Sequence, residues 1–190
     1  MNNCPYCQKP LPNPVKRKSS CPFCNKTIFV RNGSMVTEFD SLKIDWIKSV
    51  GWLGIGDTEI EDSKKHLQNQ FNTEPNFNDI RWNVLNRLVL KSAGNPQMSR
   101  AIYLEMAHIL ELEGKDNSEP IARAFKFELL EDKKNGVKFV EIFNCNDDNV
   151  CAECRKMAKK KIPIDVAVET SPIPNTCTNE YCRCWYSPVY

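Results

Sequence analysis

The sequence predicts a mainly α-helical protein with a small cysteine-rich β module at each end. Three observations indicate this fold class. Four of the ten cysteines lie in residues 1–34, and the other six lie in residues 136–190. Across roughly 38–135, apolar residues recur every three to four positions, which is the period of an amphipathic helix. Glycine, proline and asparagine break that stretch into separate helices. We therefore divide the chain at these boundaries into three parts.

The overall composition is that of an ordinary globular protein. Of the 190 residues, 41% are hydrophobic and 26% are charged, so the chain can bury a core of its own. No apolar run is long enough to cross a membrane, and the first ten residues lack the apolar stretch of a signal peptide. We expect a cytoplasmic protein with no membrane partner. In a reducing cytosol, closely paired cysteines are metal ligands more often than disulfides.

The N-terminal module contains two matched cysteine pairs. Cys4-Pro-Tyr-Cys7 and Cys21-Pro-Phe-Cys24 are separated by thirteen residues. Each Cys-x-x-Cys turn can present two thiolates to one side of a metal, and four sulfurs suit tetrahedral zinc. Four protein ligands fill the coordination shell, so the sequence predicts structural rather than catalytic zinc. Metal binding would supply the folding energy that so small a module lacks.

Residues 4–30 resemble a zinc ribbon, a small β-hairpin module built on two such turns. The resemblance implies a strand after the second turn, at Thr27–Val30. It is specific for metal binding but not for function, because zinc ribbons bind nucleic acids, contact other proteins or give structural support.

Five amphipathic helices are predicted in the middle of the chain. Their N-terminal ends are predicted at Asp40 or Ser41, at Thr58 with Glu61, at Asn78, after Gly94-Asn95-Pro96, and at Ser118 with Pro120. Gly114 and Asn135-Gly136 are predicted to end the last two. Short polar links between the helices predict antiparallel neighbours. Either a plain helical bundle or an array of helical hairpins fits this pattern.

The apolar period changes after Gly136. Residues 137–143 are β-branched and aromatic with partial alternation, which predicts a strand. Residues 162–168 form a second extended candidate, and Pro163 restricts it to an edge strand or a loop.

The C-terminal part contains a second candidate zinc site. Cys151-Ala-Glu-Cys154 supplies one half. The other half is Cys177 with Cys182 or Cys184, and we expect only one of the last two to face the metal. The predicted ligands are therefore Cys151, Cys154, Cys177 and Cys182, with Cys184 competing for the fourth position. Cys145 is predicted to be a buried or spare thiol.

This region resembles the C-terminal cysteine motif of phage head-morphogenesis proteins of the Mu F type. The matching positions are Asp148, Cys151, Cys154, residues 162–168, Pro172, Pro174 and Cys182-Arg183-Cys184. Where that family has a histidine before Cys-Arg-Cys, this chain has Cys177. The resemblance implies a zinc site and, less directly, a phage-related role.

Basic residues accompany both cysteine-rich modules. Residues 1–34 contain six basic residues and no acidic one. Clustered cations of this kind can bind nucleic-acid phosphates, and a solvated basic surface is the alternative. The candidate nucleic-acid-binding residues are Lys16, Arg17, Lys18, Arg155, Lys156, Lys159, Lys160 and Lys161.

Three functions remain open at this level. The first is a zinc-binding scaffold or adaptor that engages RNA, DNA or a protein partner. The second is a ribonuclease-type effector, in a toxin or in phage defence, in which His66, His108 and the basic residues supply the base, the acid and the cation. The third is a phage-related assembly protein that forms oligomers. No phosphate-binding loop, nucleophile elbow or His-Glu-x-x-His motif occurs in the sequence, so the catalytic residues of any enzyme are unknown.

Overall fold

The computed structural model describes residues 2–179 and 182–190. About half of the chain is helical, and the strands form two three-stranded antiparallel sheets. The chain forms two compact units, Met1–Val84 and Leu85–Tyr190. No described helix combines the length and the apolar character that crossing a membrane requires.

The first unit begins with a sheet whose strand order is β1-β2-β3. The strands are β1 (Lys18–Ser20), β2 (Thr27–Arg31) and β3 (Ser34–Val36). The predicted strand after the second cysteine pair is thus confirmed as β2. Asn32 and Gly33 connect β2 to β3 with φ values of 51° and 77°. Positive φ at both positions of a two-residue loop matches the twist of the adjoining strands, which explains the Asn-Gly sequence.

Two helices and the start of a third follow this sheet. They are α1 (Glu38–Val50), α2 (Asp57–Phe71) and α3 (Phe77–Lys91), and the boundary between the two units falls within α3. Trp46 of α1 and Ile60 of α2 are buried in the core of this unit. The ring of Trp46 packs edge-on against that of Phe77, with centroids 5.9 Å apart.

The predicted N-terminal caps of these three helices were wrong by two to four positions. The observed contacts join Thr37 Oγ1 to the Asp40 N–H at 3.1 Å, the Gly56 N–H to Glu59 at 3.0 Å, and Asn76 Oδ1 to the Asp79 N–H at 2.9 Å. α1 and α3 begin earlier than predicted because the side chains of Thr37 and Asn76 already accept an N–H of the first turn. α2 begins earlier because the Glu59 carboxylate accepts the N–H of Gly56, the residue before the helix.

The second unit contains the last residues of α3 and then two long antiparallel helices. They are α4 (Pro96–Leu112) and α5 (Ser118–Lys134). Their starts after Asn95 and at Ser118 are confirmed, as are the left-handed glycines that follow them, Gly114 and Gly136, at φ 64° and 87°. The antiparallel arrangement brings Arg100 of α4 to within 3.3 Å of Glu128 of α5. A bundle that includes every helix stays a prediction, because the helices divide between two units.

The rest of the second unit is a sheet interleaved with short helices. Its elements are β4 (Phe139–Phe143), α6 (Ala152–Met157), β5 (Ile162–Pro163), α7 (Ile164–Thr170), α8 (Pro172–Asn175) and β6 (Trp185–Val189), with strand order β5-β4-β6. Val140 and Ile142 of β4 point inward, toward Phe125 and Leu129 of α5 and Tyr186 of β6. The predicted strand at residues 137–143 is confirmed as β4.

The extended segment predicted at residues 162–168 was largely wrong. Only Ile162 and Pro163 pair with β4, and α7 begins at Ile164. Ile164 and Ala167 are buried, and this spacing of three is helical rather than alternating. Pro163 fits immediately before a helix because its missing N–H is not needed there.

Candidate metal centres

The first candidate centre brings four cysteine sulfurs together. The sulfurs of Cys4, Cys7, Cys21 and Cys24 all lie within 4.8 Å of one another. The Cys4–Cys24 and Cys7–Cys21 sulfur distances are both 3.8 Å. Four sulfurs bound tetrahedrally at about 2.3 Å would lie about 3.8 Å apart. All ten cysteines of the chain are free thiols, so no disulfide competes for them.

The two cysteine turns have the same backbone geometry. The N–H of Gln8 donates to the carbonyl of Cys4 at 3.0 Å, and the N–H of Asn25 donates to that of Cys21 at 2.9 Å. Gln8 and Asn25, each just after the second cysteine of its pair, have φ values of 57° and 56°. This left-handed step reverses the chain, so both cysteines of a pair face the same side.

Lysines and aromatic rings connect the two turns. Lys26, after the second turn, lies 5.0 Å from the ring centroid of Tyr6 in the first turn. Lys9, after the first turn, lies 5.3 Å from the ring of Phe23 in the second. These reciprocal cation–π contacts join each turn to the other.

The thiols of this centre differ in acidity. Burial alone would raise the pKa of Cys21, but the N–H groups of Phe23 and Cys24 outweigh it and lower the pKa to about 6. The Lys26 N–H favours the Cys24 thiolate, yet burial and the neighbouring sulfurs raise its pKa to about 11. Four thiolates this close repel one another, so a bound cation is needed to hold all of them ionised.

Polar contacts join the first centre to α1. The hydroxyl of Tyr6 accepts the Glu38 N–H at 2.7 Å. Arg31 of β2 forms a two-pronged ion pair with Asp45 of α1, with contacts of 3.0 and 2.7 Å. The metal turns are therefore held in a defined orientation to the first helix.

The second candidate centre contains five cysteines rather than four. The sulfurs of Cys151, Cys154 and Cys177 lie within 4.8 Å of one another, and so do those of Cys154, Cys182 and Cys184. Cys154 belongs to both groups. Cys182 and Cys184 both contribute their sulfurs to this cluster, because side chains two residues apart on an extended chain point to the same side. That only one of them binds the metal stays a prediction.

The shared Cys154 joins the two groups of three into one cluster of five thiols. Burial and neighbouring sulfurs of this cluster raise the pKa of Cys154, Cys177 and Cys184. A tetrahedral ion accepts four of these sulfurs, so one remains unbound at any time.

The pKa values of the thiols differ within this cluster as well. Burial raises the pKa of Cys151, but the N–H groups of Cys154 and Thr178 more than offset it and the pKa falls to about 6. Burial and neighbouring sulfurs raise the pKa of Cys177 to about 11, and burial raises that of Cys184 to about 12. Cys145 lies outside this cluster and is exposed rather than buried, with its sulfur 3.7 Å from the Arg183 carbonyl.

The second centre is part of the apolar core of its unit. Cys151, Cys154 and Cys184 are buried in the same cluster as Leu129 and Val140. Cys151 also begins α6, because its sulfur accepts the Cys154 N–H at 3.3 Å. Cys151 is therefore both the residue that caps α6 and a candidate metal ligand.

The basic residues in the last turn of α6 and just after it behave in two ways. Arg155 donates to the carbonyls of Val150 and Asp147 at 2.9 and 2.8 Å, and Lys156 pairs with Glu153 at 2.7 Å. Lys159, Lys160 and Lys161 are exposed, and within residues 2–179 and 182–190 no carboxylate pairs with them. In the first unit, Lys16, Arg17 and Lys18 are also exposed, where β1 begins.

Neither histidine lies at a recognisable catalytic centre. His66 is exposed on α2 and His108 is exposed on α4, 3.7 Å from Glu111. The two histidines belong to different units.

Both centres have the geometry of small metal modules, and the first is compatible with a zinc ribbon. No protein-family model matches the chain, and no curated protein or solved structure is significantly similar to it. The likeness of the second centre to Mu F-type proteins therefore stays a motif resemblance. The sequence analysis treated Cys184 only as a competitor for the fourth ligand position. Its spacing of two residues from Cys182 already indicated that both side chains face the same side of an extended chain.

Proposed function

We propose that this protein is a zinc-binding scaffold or adaptor that engages nucleic acid through the basic residues of its two metal modules. The observation that carries the proposal is the open position of Lys159, Lys160 and Lys161 beside the second centre. Arg155 and Lys156, just before them, are held by the protein's own carbonyls and by Glu153. The three lysines thus remain available for an acidic ligand.

The donor set supports zinc as the metal. Four thiolates arranged tetrahedrally select zinc or iron, whereas calcium and magnesium require oxygen ligands. Zinc tolerates exchange among equivalent sulfurs because its filled d shell imposes no preferred geometry. Each centre can fill the coordination shell with protein sulfurs alone, so the metal would have a structural role.

The charge distribution supports nucleic acid as the partner. The first 34 residues contain six basic residues and no acidic one, and the second cluster is followed by three open lysines. Each lysine that contacts a phosphate releases a bound counterion, which makes binding depend on salt.

The test is fluorescence anisotropy with labelled single-stranded RNA, single-stranded DNA and duplex DNA at several salt concentrations. We expect the affinity to fall as salt rises. Replacing Lys159, Lys160 and Lys161 with glutamine should weaken binding and reduce the salt slope by about 2, since each contact with a single strand contributes about 0.7. Replacing the exposed Lys65, Lys126 and Lys134 with glutamine is the matched control, because it removes the same charge.

Equal loss in both triple variants, or no binding at all, would overturn the nucleic-acid proposal. The same RNA substrates would reveal a ribonuclease-type activity, and the His66→Ala and His108→Ala variants would assign it. Native mass spectrometry of the purified protein counts metal ions and subunits together. Discrete large oligomers there would favour the phage-related assembly role instead.

A further inference from the structure

One face of the sheet β5-β4-β6 exposes aromatic rings. Alternation along the strands turns Val140, Ile142 and Tyr186 inward, and it turns Phe139, Phe143 and Trp185 outward. The three outward rings are 42%, 45% and 41% exposed. Because half-exposed aromatic rings grouped on one surface leave apolar area in water, they mark a site of interaction rather than a random surface.

Two of these rings form a pair. Phe143 of β4 lies directly opposite Trp185 of β6 in the strand register. Their ring centroids are 5.0 Å apart, and their planes are inclined by 36°. Phe139 lies at the other end of β4, opposite Val189. We call Phe139, Phe143 and Trp185 the aromatic sheet face.

A carboxylate lies between the aromatic ends of this face. Glu141 occupies the outward position midway between Phe139 and Phe143, opposite Ser187. Its negative charge repels phosphate groups. A strand of nucleic acid would therefore cross this face with its bases, not its backbone, over Glu141.

The three open lysines lie along the edge of the same sheet. The N–H of Lys159 donates to the carbonyl of Ile142 at 3.2 Å, and Lys160 and Lys161 lead directly into β5. β5 pairs with Phe139 and Val140 of β4. Positive charge is thus arranged beside the aromatic sheet face, where it can follow a backbone whose bases lie on the rings.

We propose that the aromatic sheet face binds single-stranded nucleic acid, with bases stacked on Phe143, Trp185 and Phe139 and phosphates contacted by Lys159, Lys160 and Lys161. The inference rests on the proposed function and deepens it by naming the ligand class. Aromatic stacking requires bases with free faces, which single strands offer and duplexes do not. The lysines along the sheet edge can contact the phosphates of such a strand while the aromatic rings stack on its bases.

The test measures binding of a labelled 12-nucleotide RNA and DNA single strand, and of the matching duplex, by fluorescence anisotropy. We expect Phe143→Leu and Trp185→Leu each to weaken single-strand binding about tenfold. Neither should change the salt slope, because neither removes a phosphate contact. Trp52→Leu and Phe71→Leu, at exposed aromatic positions of the first unit, should leave the affinity unchanged.

The two proposals fail in different ways. If the lysine triple variant weakens binding but the aromatic variants do not, the stacking inference is wrong and the nucleic-acid function stands. If the wild type binds none of the three nucleic acids, both are wrong. Tighter binding of the duplex than of the single strand would also overturn the inference. A dimer that dissociates in Trp185→Leu, without any nucleic-acid binding, would assign the face to a second copy of the chain.

A second measurement avoids reliance on variants that fold poorly. Photocrosslinking of wild-type protein to an oligonucleotide containing 4-thiouridine, followed by peptide mass spectrometry, locates the stacked bases. Crosslinks within residues 139–143 or 185–189 are expected. Crosslinks confined to other segments would overturn the inference.

Discussion

The hydroxyl of Tyr186 is bonded twice to the backbone of Ile173, accepting its N–H at 3.0 Å and donating to its carbonyl at 3.2 Å. Both residues are buried in the core of the second unit. Burial also raises the pKa of Tyr186, so the hydroxyl stays protonated and can donate. This side chain thereby fixes β6 to the segment that leads to Cys177.

Removing that hydroxyl should destabilise the second unit. In Tyr186→Phe, the N–H and carbonyl of Ile173 lose their partner while remaining buried, which costs about 1–3 kcal/mol. Denaturant unfolding of the metal-loaded protein measures this loss. Tyr190→Phe is the control, because Tyr190 is fully exposed and the change should lie within about 0.5 kcal/mol. Equal stability of both variants would show that the double contact contributes nothing.

The two centres should bind metal independently. We expect two zinc ions per chain by elemental analysis, one fewer in Cys4→Ser, and no change in Cys145→Ser, whose thiol is exposed and outside both clusters. Cys4→Ser should also lose the folded state of the first sheet, because metal binding supplies its folding energy. Retention of two ions by Cys4→Ser would refute the four-sulfur assignment.

The fifth cysteine predicts an uneven response to single substitutions. Cys154 belongs to both sulfur groups, so Cys154→Ser should lose the second ion. Cys182→Ser and Cys184→Ser should each keep it, because the remaining thiol of that pair completes the shell, and the double variant should lose it. Cobalt substitution, whose absorption reports the number of bound sulfurs, distinguishes these cases. Loss of the ion in only one of the two single variants would identify a fixed fourth ligand.

A half-buried carboxylate between α4 and α5, that of Glu128, should make stability depend on pH. Burial, only partly offset by Arg100, raises the pKa of Glu128 above its ordinary value of 4.5. Because the folded state then holds the proton more tightly than the unfolded state, stability falls as pH rises from 4.5 through the raised pKa. Glu128→Gln removes this penalty and should be the more stable protein at pH 8.

That advantage of Glu128→Gln should shrink as the pH is lowered through the raised pKa, because wild-type Glu128 then takes up its proton. Unfolding of both proteins at pH 8 and pH 5, with metal bound, gives the two differences. Glu119→Gln is the control, because Glu119 is exposed on the same helix. A variant that is less stable than wild type at pH 8 would mean that the Arg100 pair outweighs the cost of burial.

The parts of the structure that could be predicted are those determined by local sequence. The first cysteine pairs act within short turns, so their spacing alone indicated the cluster. Gly114 and Gly136 ended helices as predicted, because left-handed backbone favours glycine. The caps of α1 to α3 were displaced because several capping residues lie in succession and the sequence does not rank them.

The parts that could not be predicted depend on contacts between distant segments. The start of α7 at Ile164 depends on burying Ile164 and Ala167 in the core that α5 and β4 complete. The pairing of Phe143 with Trp185 joins residues far apart in sequence, and only the strand register brings them together. Sequence periodicity gives the two faces of a strand but not which of them a helix will cover.

The surroundings of the two cysteine clusters have different evolutionary consequences. Cys4 and Cys21 share a small core of their own with Leu11 and Ile28. All residues of this core lie within residues 2–36, so a gene segment that encodes them carries the complete cluster with its apolar packing. Cys154 and Cys184 are embedded with Leu129 of α5. The second cluster therefore depends on α5 for its packing and could not be transferred to another protein without that helix.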